Sequence, residues 1–230
     1  MSGARARREQ PHAGPTVVGV TGGVASGKST FVRILAGGGE SVVLDGDRMG
    51  HEVLERPEIK HALAKEFGFE IIDDAGEVQR SVLGPLAFAS PDSLAALNAI
   101  VHPPLLALVW QRLNLHEDES FDSLVILDAA LLVEWDIGAW CDVVVAVLAS
   151  PASQVERLVR DRGRTEEEAR DIVARQLPNE ARAAYADFVI ENDGTPAELE
   201  ARSRVLADRL WRDTRSRTHP SRSPQSPDSA

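Results

Sequence analysis

Gly22-Gly-Val-Ala-Ser-Gly-Lys-Ser-Thr30 is the stretch that decides the fold of this chain. It has the spacing Gly-x-x-x-x-Gly-Lys-Ser, the form of a phosphate-binding loop joining a strand to a helix. Glycines at 22, 23 and 27 let backbone N–H groups turn around an anion with no Cβ in the way. A helix starting behind Gly27 brings the positive end of its dipole to the same point. The flanks agree. Thr16-Val-Val-Gly-Val-Thr21 is short, apolar and β-branched, as a buried parallel strand requires, and Phe31, Ile34 and Leu35 recur at helical spacing until Gly37-Gly-Gly39. Lys28 is placed to reach the β- and γ-phosphates of a nucleoside triphosphate, and the Ser29 hydroxyl to ligate Mg²⁺. Gly23, Val24, Ala25, Ser26, Gly27, Lys28, Ser29 and Thr30 therefore form the expected nucleoside triphosphate site.

Working outward, Ser41-Val-Val-Leu44 reads as a second strand ending at Asp45-Gly46-Asp47. In extended geometry residues 45 and 47 point to the same side, so two carboxylates are expected at the C-terminal end of the sheet, where open α/β folds hold ligands. From about 48 to 117 helical signals dominate. Pro57 opens a helix that Gly68 ends, Ser90-Pro91-Asp92 opens another, and His102-Pro103-Pro104 is expected to interrupt it. Leu124-Val-Ile-Leu127 is a third strand with Asp128 at its tip, expected to support Mg²⁺ through water. Asp142 to Leu148 is a fourth strand. Ser150-Pro151 then opens a helix carrying Gln154, Arg157 and Arg160, and Thr165-Glu-Glu-Glu168 is a capping box starting the next. Two helices joined by an arginine-rich turn, at about 151–180, read as a lid. Ala186 to Ile190 is a fifth strand, and the last helix is expected from Thr195-Pro196 to about Trp211.

The 230 residues are 43% apolar, enough for one substantial α/β core with an insertion. A net charge of −11 argues against a polyanion surface, so no nucleic-acid partner is expected. A single cysteine, Cys141, forms no internal disulfide and points to a cytoplasmic protein. No apolar stretch approaches about 18 residues, so no membrane partner is expected either. Residues 1–15 and 214–230 lack an apolar face and are expected to be disordered tails around a domain at 16–213.

This order of elements is that of a small P-loop kinase, and the chain resembles the dephospho-coenzyme A kinase family. The resemblance rests on Thr21-Gly-Gly-Val-Ala-Ser-Gly-Lys-Ser-Thr30, Asp45-Gly-Asp47, Gly76-Glu-Val-Gln-Arg80 with Leu83, His102-Pro103, Leu131-Leu-Val-Glu134, Gln154-x-x-Arg157, Gln176, and Ala186-Asp187 through Asn192. It covers Val17 to Trp211. It implies a three-layer α/β fold with a five-stranded parallel sheet, a helical acceptor-binding insertion and a lid. ATP and dephospho-CoA are the implied substrates and Mg²⁺ the implied metal. Asp47 is the implied general base, Asp45 orients or supports the metal, Arg80 and His102 bind the acceptor, and Arg157 with Arg160 approaches the phosphates. Asn192 is the expected adenine contact. The sequence departs from the family pattern at Asp161, where an arginine is expected, and more mildly at Gly46 and Ala130.

Two other readings share the loop. A kinase for a nucleoside, nucleoside monophosphate or sugar acid would show selective turnover of those acceptors. A GTPase-like switch is imitated by Asp73-Asp-Ala-Gly76, but no Asn-Lys-x-Asp follows for guanine recognition.

Overall fold

The computed structural model describes residues 15–115 and 122–218. In chain order these form β1 (Thr16–Thr21), α1 (Lys28–Ala36), β2 (Ser41–Asp45), α2 (Gly46–Leu54), α3 (Pro57–Phe67), α4 (Arg80–Ala87), α5 (Pro91–Asn114), β3 (Leu124–Asp128), β4 (Val143–Leu148), α6 (Pro151–Arg162), α7 (Glu166–Ala174), α8 (Asn179–Tyr185), β5 (Phe188–Glu191) and α9 (Pro196–Thr218). The strands make one sheet in the order β2-β3-β1-β4-β5. All are parallel, as βαβ connections require. β1 is central: Val20 stands level with Asp128 on one side, and Thr21 with Ala146 on the other.

Alternation along the strands separates the two faces. Val18 and Val20 of β1, Leu124 and Ile126 of β3, and Val145 and Val147 of β4 turn toward α1 and α9, joining Phe31, Val32, Leu35, Leu199, Leu210 and Trp211 in one buried cluster. Trp211 lies over Gly38 and Gly39, and its Nε1 donates to Leu35 O at 2.9 Å. The opposite face is covered by Leu132 and Cys141, which approach the backbone at Gly19, and by α8 against β4. This is the three-layer α/β fold.

Asp142 and Asp187 sit at the starts of β4 and β5. The first accepts from Val17 N–H and the second from Val144 N–H, each at 2.8 Å. They fasten the N-terminal edge of the sheet, away from the phosphate loop, so Ala186-Asp187 is a strand-start device.

The described chain falls into two compact units, Leu44–Leu115 and the remainder. Inside the first, α5 corrects two expectations. It runs unbroken through Pro103 and Pro104, although these lack the N–H groups that would bond the carbonyls of Ala99 and Ile100. Packing overrides the local signal: Leu105, Leu108, Val109 and Leu113 are buried, and Arg112 Nη2 donates to both carboxylate oxygens of Glu52 on α2 at 3.1 and 3.2 Å. Undivided, α5 is long and apolar enough to cross a membrane by length and composition.

The C-terminal helix is also longer than expected. It continues through residues 214–218, with Thr214 buried, where the tail was expected to begin. Pro15 is buried at the other end. The rest of both expected tails, 1–14 and 219–230, lies outside the described residues.

Candidate active site

The loop between β1 and α1 is built to receive an anion. Gly27 is the N-cap of α1 in the left-handed region, φ 94°, and no side chain caps the helix. Thr30 N–H already donates to Gly27 O at 3.0 Å, so the N–H groups of Lys28 and Ser29, ahead of that first intrahelical bond, are the ones left for a ligand. A Cβ at Gly27 would stand 2.6 Å from Asn192 Nδ2 and 2.8 Å from Leu199 Cδ2, so both conformation and space demand glycine.

Parallel pairing of β1 with β3 puts Asp128 beside the loop, and the Lys28 amine makes an ion pair with its carboxylate. The two side chains are 15% and 14% exposed. A cation and a carboxylate therefore share a shallow, partly desolvated site at the end of α1. Ser29 is on the first turn of the same helix. Its hydroxyl and the Asp128 carboxylate are hard oxygen donors of the kind Mg²⁺ takes. Among the described residues no three or more His, Cys, Asp or Glu gather as an all-protein metal cage would need. Mg²⁺ binding through one or two protein oxygens plus phosphates needs no such cage.

The outward side of the loop is held by side chains from far along the chain. Val24 N–H donates to Gln176 Oε1 at 2.7 Å. Arg157 Nη1 donates to Ala25 O at 3.1 Å, at a residue held at φ 54°. Asn192 Nδ2 donates to Ser26 O at 2.8 Å, and Arg157 Nη2 donates to Asn192 O at 2.7 Å. Asn192 is 5% exposed, with its amide turned onto the loop. Arg157 and Asn192 thus brace the loop they were expected to serve as ligand contacts.

Arg157 and Arg160 do not converge. Arg160 donates through Nε and Nη2 to the two Asp161 oxygens at 2.7 and 2.9 Å, and through Nη1 to Glu156 at 3.3 Å. Asp161 therefore occupies Arg160. Hydrogen bonding from Arg160 holds the Asp161 carboxyl below its ordinary value, and Asp161 in turn raises the guanidinium.

The helix pair that carries these groups is anchored at its root. Ser150 caps α6 through Ser153 N–H, and Ser150 N–H donates to Asp193 Oδ1 at 2.7 Å. That bond, with help from Ser153, depresses the Asp193 carboxyl. Thr165 and Glu168 close the expected capping box on α7. Beyond it, Arg182 of α8 is buried, donating to Glu134 Oε1 at 3.0 Å and to Leu177 O. Glu134 follows Asp128 closely, so this ion pair ties the segment after β3 to the chain after α7. Burial pulls the Arg182 guanidinium below its ordinary value while Glu134 raises it, and it stays charged. Glu134→Gln should cost about 2–3 kcal/mol in urea unfolding because it leaves that charge buried. Replacing both, Glu134→Leu with Arg182→Met, should cost less than the single change.

Within Leu44–Leu115 the acidic pair is arranged differently from its expected geometry. β2 stops at Asp45, whose side chain is the N-cap of α2, accepting from Asp47 N–H at 2.9 Å and Arg48 N–H at 3.0 Å. The two carboxylates do not share an extended face. Asp45 is a helix cap, and Asp47 is exposed in the first turn. His51 lies one turn on, on the same face as Asp47, and its Nε2 touches Arg80 Nη1. Arg80 is thereby placed beside the helix that bears Asp47. His102 lies half-buried in the middle of α5.

Sequence reasoning passed over His51 and Arg182 as working side chains, and gave Gln176 no role although the family resemblance includes it. The i, i+4 spacing of Asp47 and His51 was a usable signal once Asp45 is read as a cap. Nothing local marks Arg182.

The family model described as dephospho-CoA kinase matches residues 16–198. A dephospho-CoA kinase from Streptomyces avermitilis is 42% identical over 205 residues, covering 88% of this chain and 95% of that protein. One from Thermobifida fusca is 39% identical, covering 87% and 98%. Among solved structures, TT1252 from Thermus thermophilus superposes with a TM-score of 0.68 at 31% identity, over 86% of this chain and 98% of that one.

Proposed function

Because the chain belongs to the dephospho-CoA kinase family, we propose roles for its own residues in moving the ATP γ-phosphate to the ribose 3′-hydroxyl of dephospho-CoA, the reaction that gives CoA. The protein is an ATP-dependent kinase. The observation that carries this reading is the match of one family model along residues 16–198, the whole α/β body from β1 into α9.

Phosphoryl transfer asks a protein mainly for positioning and charge neutralisation. The N–H groups at the start of α1 and the Lys28 amine hold the β- and γ-phosphates. In the free protein Lys28 is kept in place by Asp128, so the cation is already at the site when nucleotide arrives. Ser29 and Asp128 hold Mg²⁺, which when bound offsets charge on the phosphate oxygens. Asn192 and the Arg157 guanidinium support the loop from behind, and the base of ATP lies on the Asn192 side.

Asp47 accepts the proton of the acceptor hydroxyl. Its exposure at the start of α2 leaves its carboxylate accessible, and Asp45 fixes the backbone beneath it. Arg80, set against His51, pairs with acceptor phosphate oxygens, and His102 hydrogen-bonds near the ribose. Movement of the α6–α7 pair excludes water from the transfer. A cytoplasmic location fits a chain whose substrates are soluble nucleotides.

The test is purified protein with ATP, Mg²⁺ and dephospho-CoA, product mass being followed against nucleoside and nucleoside monophosphate controls. CoA formation with no turnover of the controls is expected. Selective turnover of a control would transfer the reading to another acceptor.

A further inference from the structure

Three consecutive loop residues are each met by a side chain from the α6–α7 segment. Gln154, 4% exposed, lies over Gly23, where a Cβ would stand 2.6 Å from its Nε2 and 3.0 Å from Gln176 Oε1. Gln176 Oε1 accepts the Val24 N–H at 2.7 Å, and Arg157 donates to Ala25 O at 3.1 Å. Val24 and Gln176 are 152 positions apart, and Gln176 follows α7 directly.

A phosphate loop has few side chains with which to hold its own curve. Its shape depends on what satisfies the backbone groups that face away from the anion. Ser26 N–H turns back to Gly23 O at 3.2 Å, and Asn192 and Arg157 take the Ser26 and Ala25 carbonyls. Val24 N–H is the corresponding donor, and a carboxamide from the segment just after α7 accepts it. Gln176 is neutral, so it fixes the loop without adding a cation that would retain product or an anion that would repel substrate. We propose that Gln176 is a positioning residue for the donor phosphates. It fixes the first half of the loop and ties the position of α7 to loop geometry.

This rests on ATP occupying the 22–30 loop, and the experiment separates the two claims. Gln176→Ala, Gln176→Glu and Lys28→Ala are compared in steady-state kinetics with both substrates varied, alongside melting temperatures without nucleotide. Gln176→Ala should raise KM for ATP about three- to tenfold, the loss of one partly buried neutral hydrogen bond. KM for dephospho-CoA and the melting temperature should stay close to wild type. Gln176→Glu keeps the acceptor and the shape but sets a negative charge beside the triphosphate. It should raise KM for ATP further, and 0.5 M KCl should reduce that excess while leaving the alanine effect in place. A structural tie alone would tolerate glutamate. Unchanged KM for ATP in Gln176→Ala, or equal rises for both substrates with a fall in melting temperature, overturns the inference. Normal ATP kinetics in Lys28→Ala overturns it too, by removing the nucleotide from the loop.

Discussion

Lys28→Ala is expected to lower phosphoryl transfer by about 10²–10³-fold and to weaken ATP binding as well. Two losses combine. The donor phosphates lose their nearest side-chain cation, and Asp128 loses the amine that neutralises it in a site where it is 14% exposed. The Asp128 carboxylate, no longer neutralised by that amine, then faces the incoming triphosphate. Lys28→Arg should recover little, because the planar guanidinium cannot take the place of a compact ammonium between Asp128 and the loop. Lys28→Ala with Asp128→Asn should bind nucleotide better than Lys28→Ala alone, since the repelling charge is gone. Nucleotide titration together with single-turnover rates reads both effects. Near-normal transfer in Lys28→Ala would remove the loop from the reaction.

Asp47→Asn should lower kcat by about 10²–10⁴-fold, the range for loss of a positioned acid–base group, with KM for ATP little changed. The fold around it is protected. The cap of α2 is made by the Asp45 side chain and the Asp47 backbone N–H, and asparagine at 47 keeps that N–H. Position 45 should behave in the opposite way. Asp45→Asn retains a good cap and should leave kcat nearly intact, whereas Asp45→Ala should cost about 1 kcal/mol of stability. Equal kinetic losses at 45 and 47 would mean that the cap and not the Asp47 carboxylate governs the rate.

The contrast at 45 and 47 shows where sequence was legible. β1, the loop, α1 and the tip of β3 were readable because strand, turn and helix signals there are local and agree with one another. The capping box at Thr165 and the start of α5 at Ser90 were readable for the same reason. Asp45 was misread because Asp-Gly-Asp after a strand serves as well for an extended end as for an N-cap, and only the helix after it decides. α5 was divided at its prolines because helix propensity was weighed without the buried leucines and the Arg112–Glu52 tie that hold it together. The collar around the loop was not legible. Its bonds join residues 132, 152 and 166 positions apart, and a single sequence carries no record of such distances. The family resemblance pointed to Gln154, Arg157, Gln176 and Asn192 without saying that all four meet the loop.

The seat of Trp211 on Gly38 and Gly39, 176 residues after the Leu35 carbonyl it binds, sets a schedule for biosynthesis. The first strand and its helix leave the ribosome early, yet the middle of the sheet stays uncovered on the α9 side until almost the last codon of the described chain is read. The stretch from 44 to 115 is a compact unit of its own and can condense while translation proceeds. Nascent chains halted before α9 should therefore be captured by chaperones that recognise apolar surface, and should fail to retain ATP even though every residue of the loop has been made.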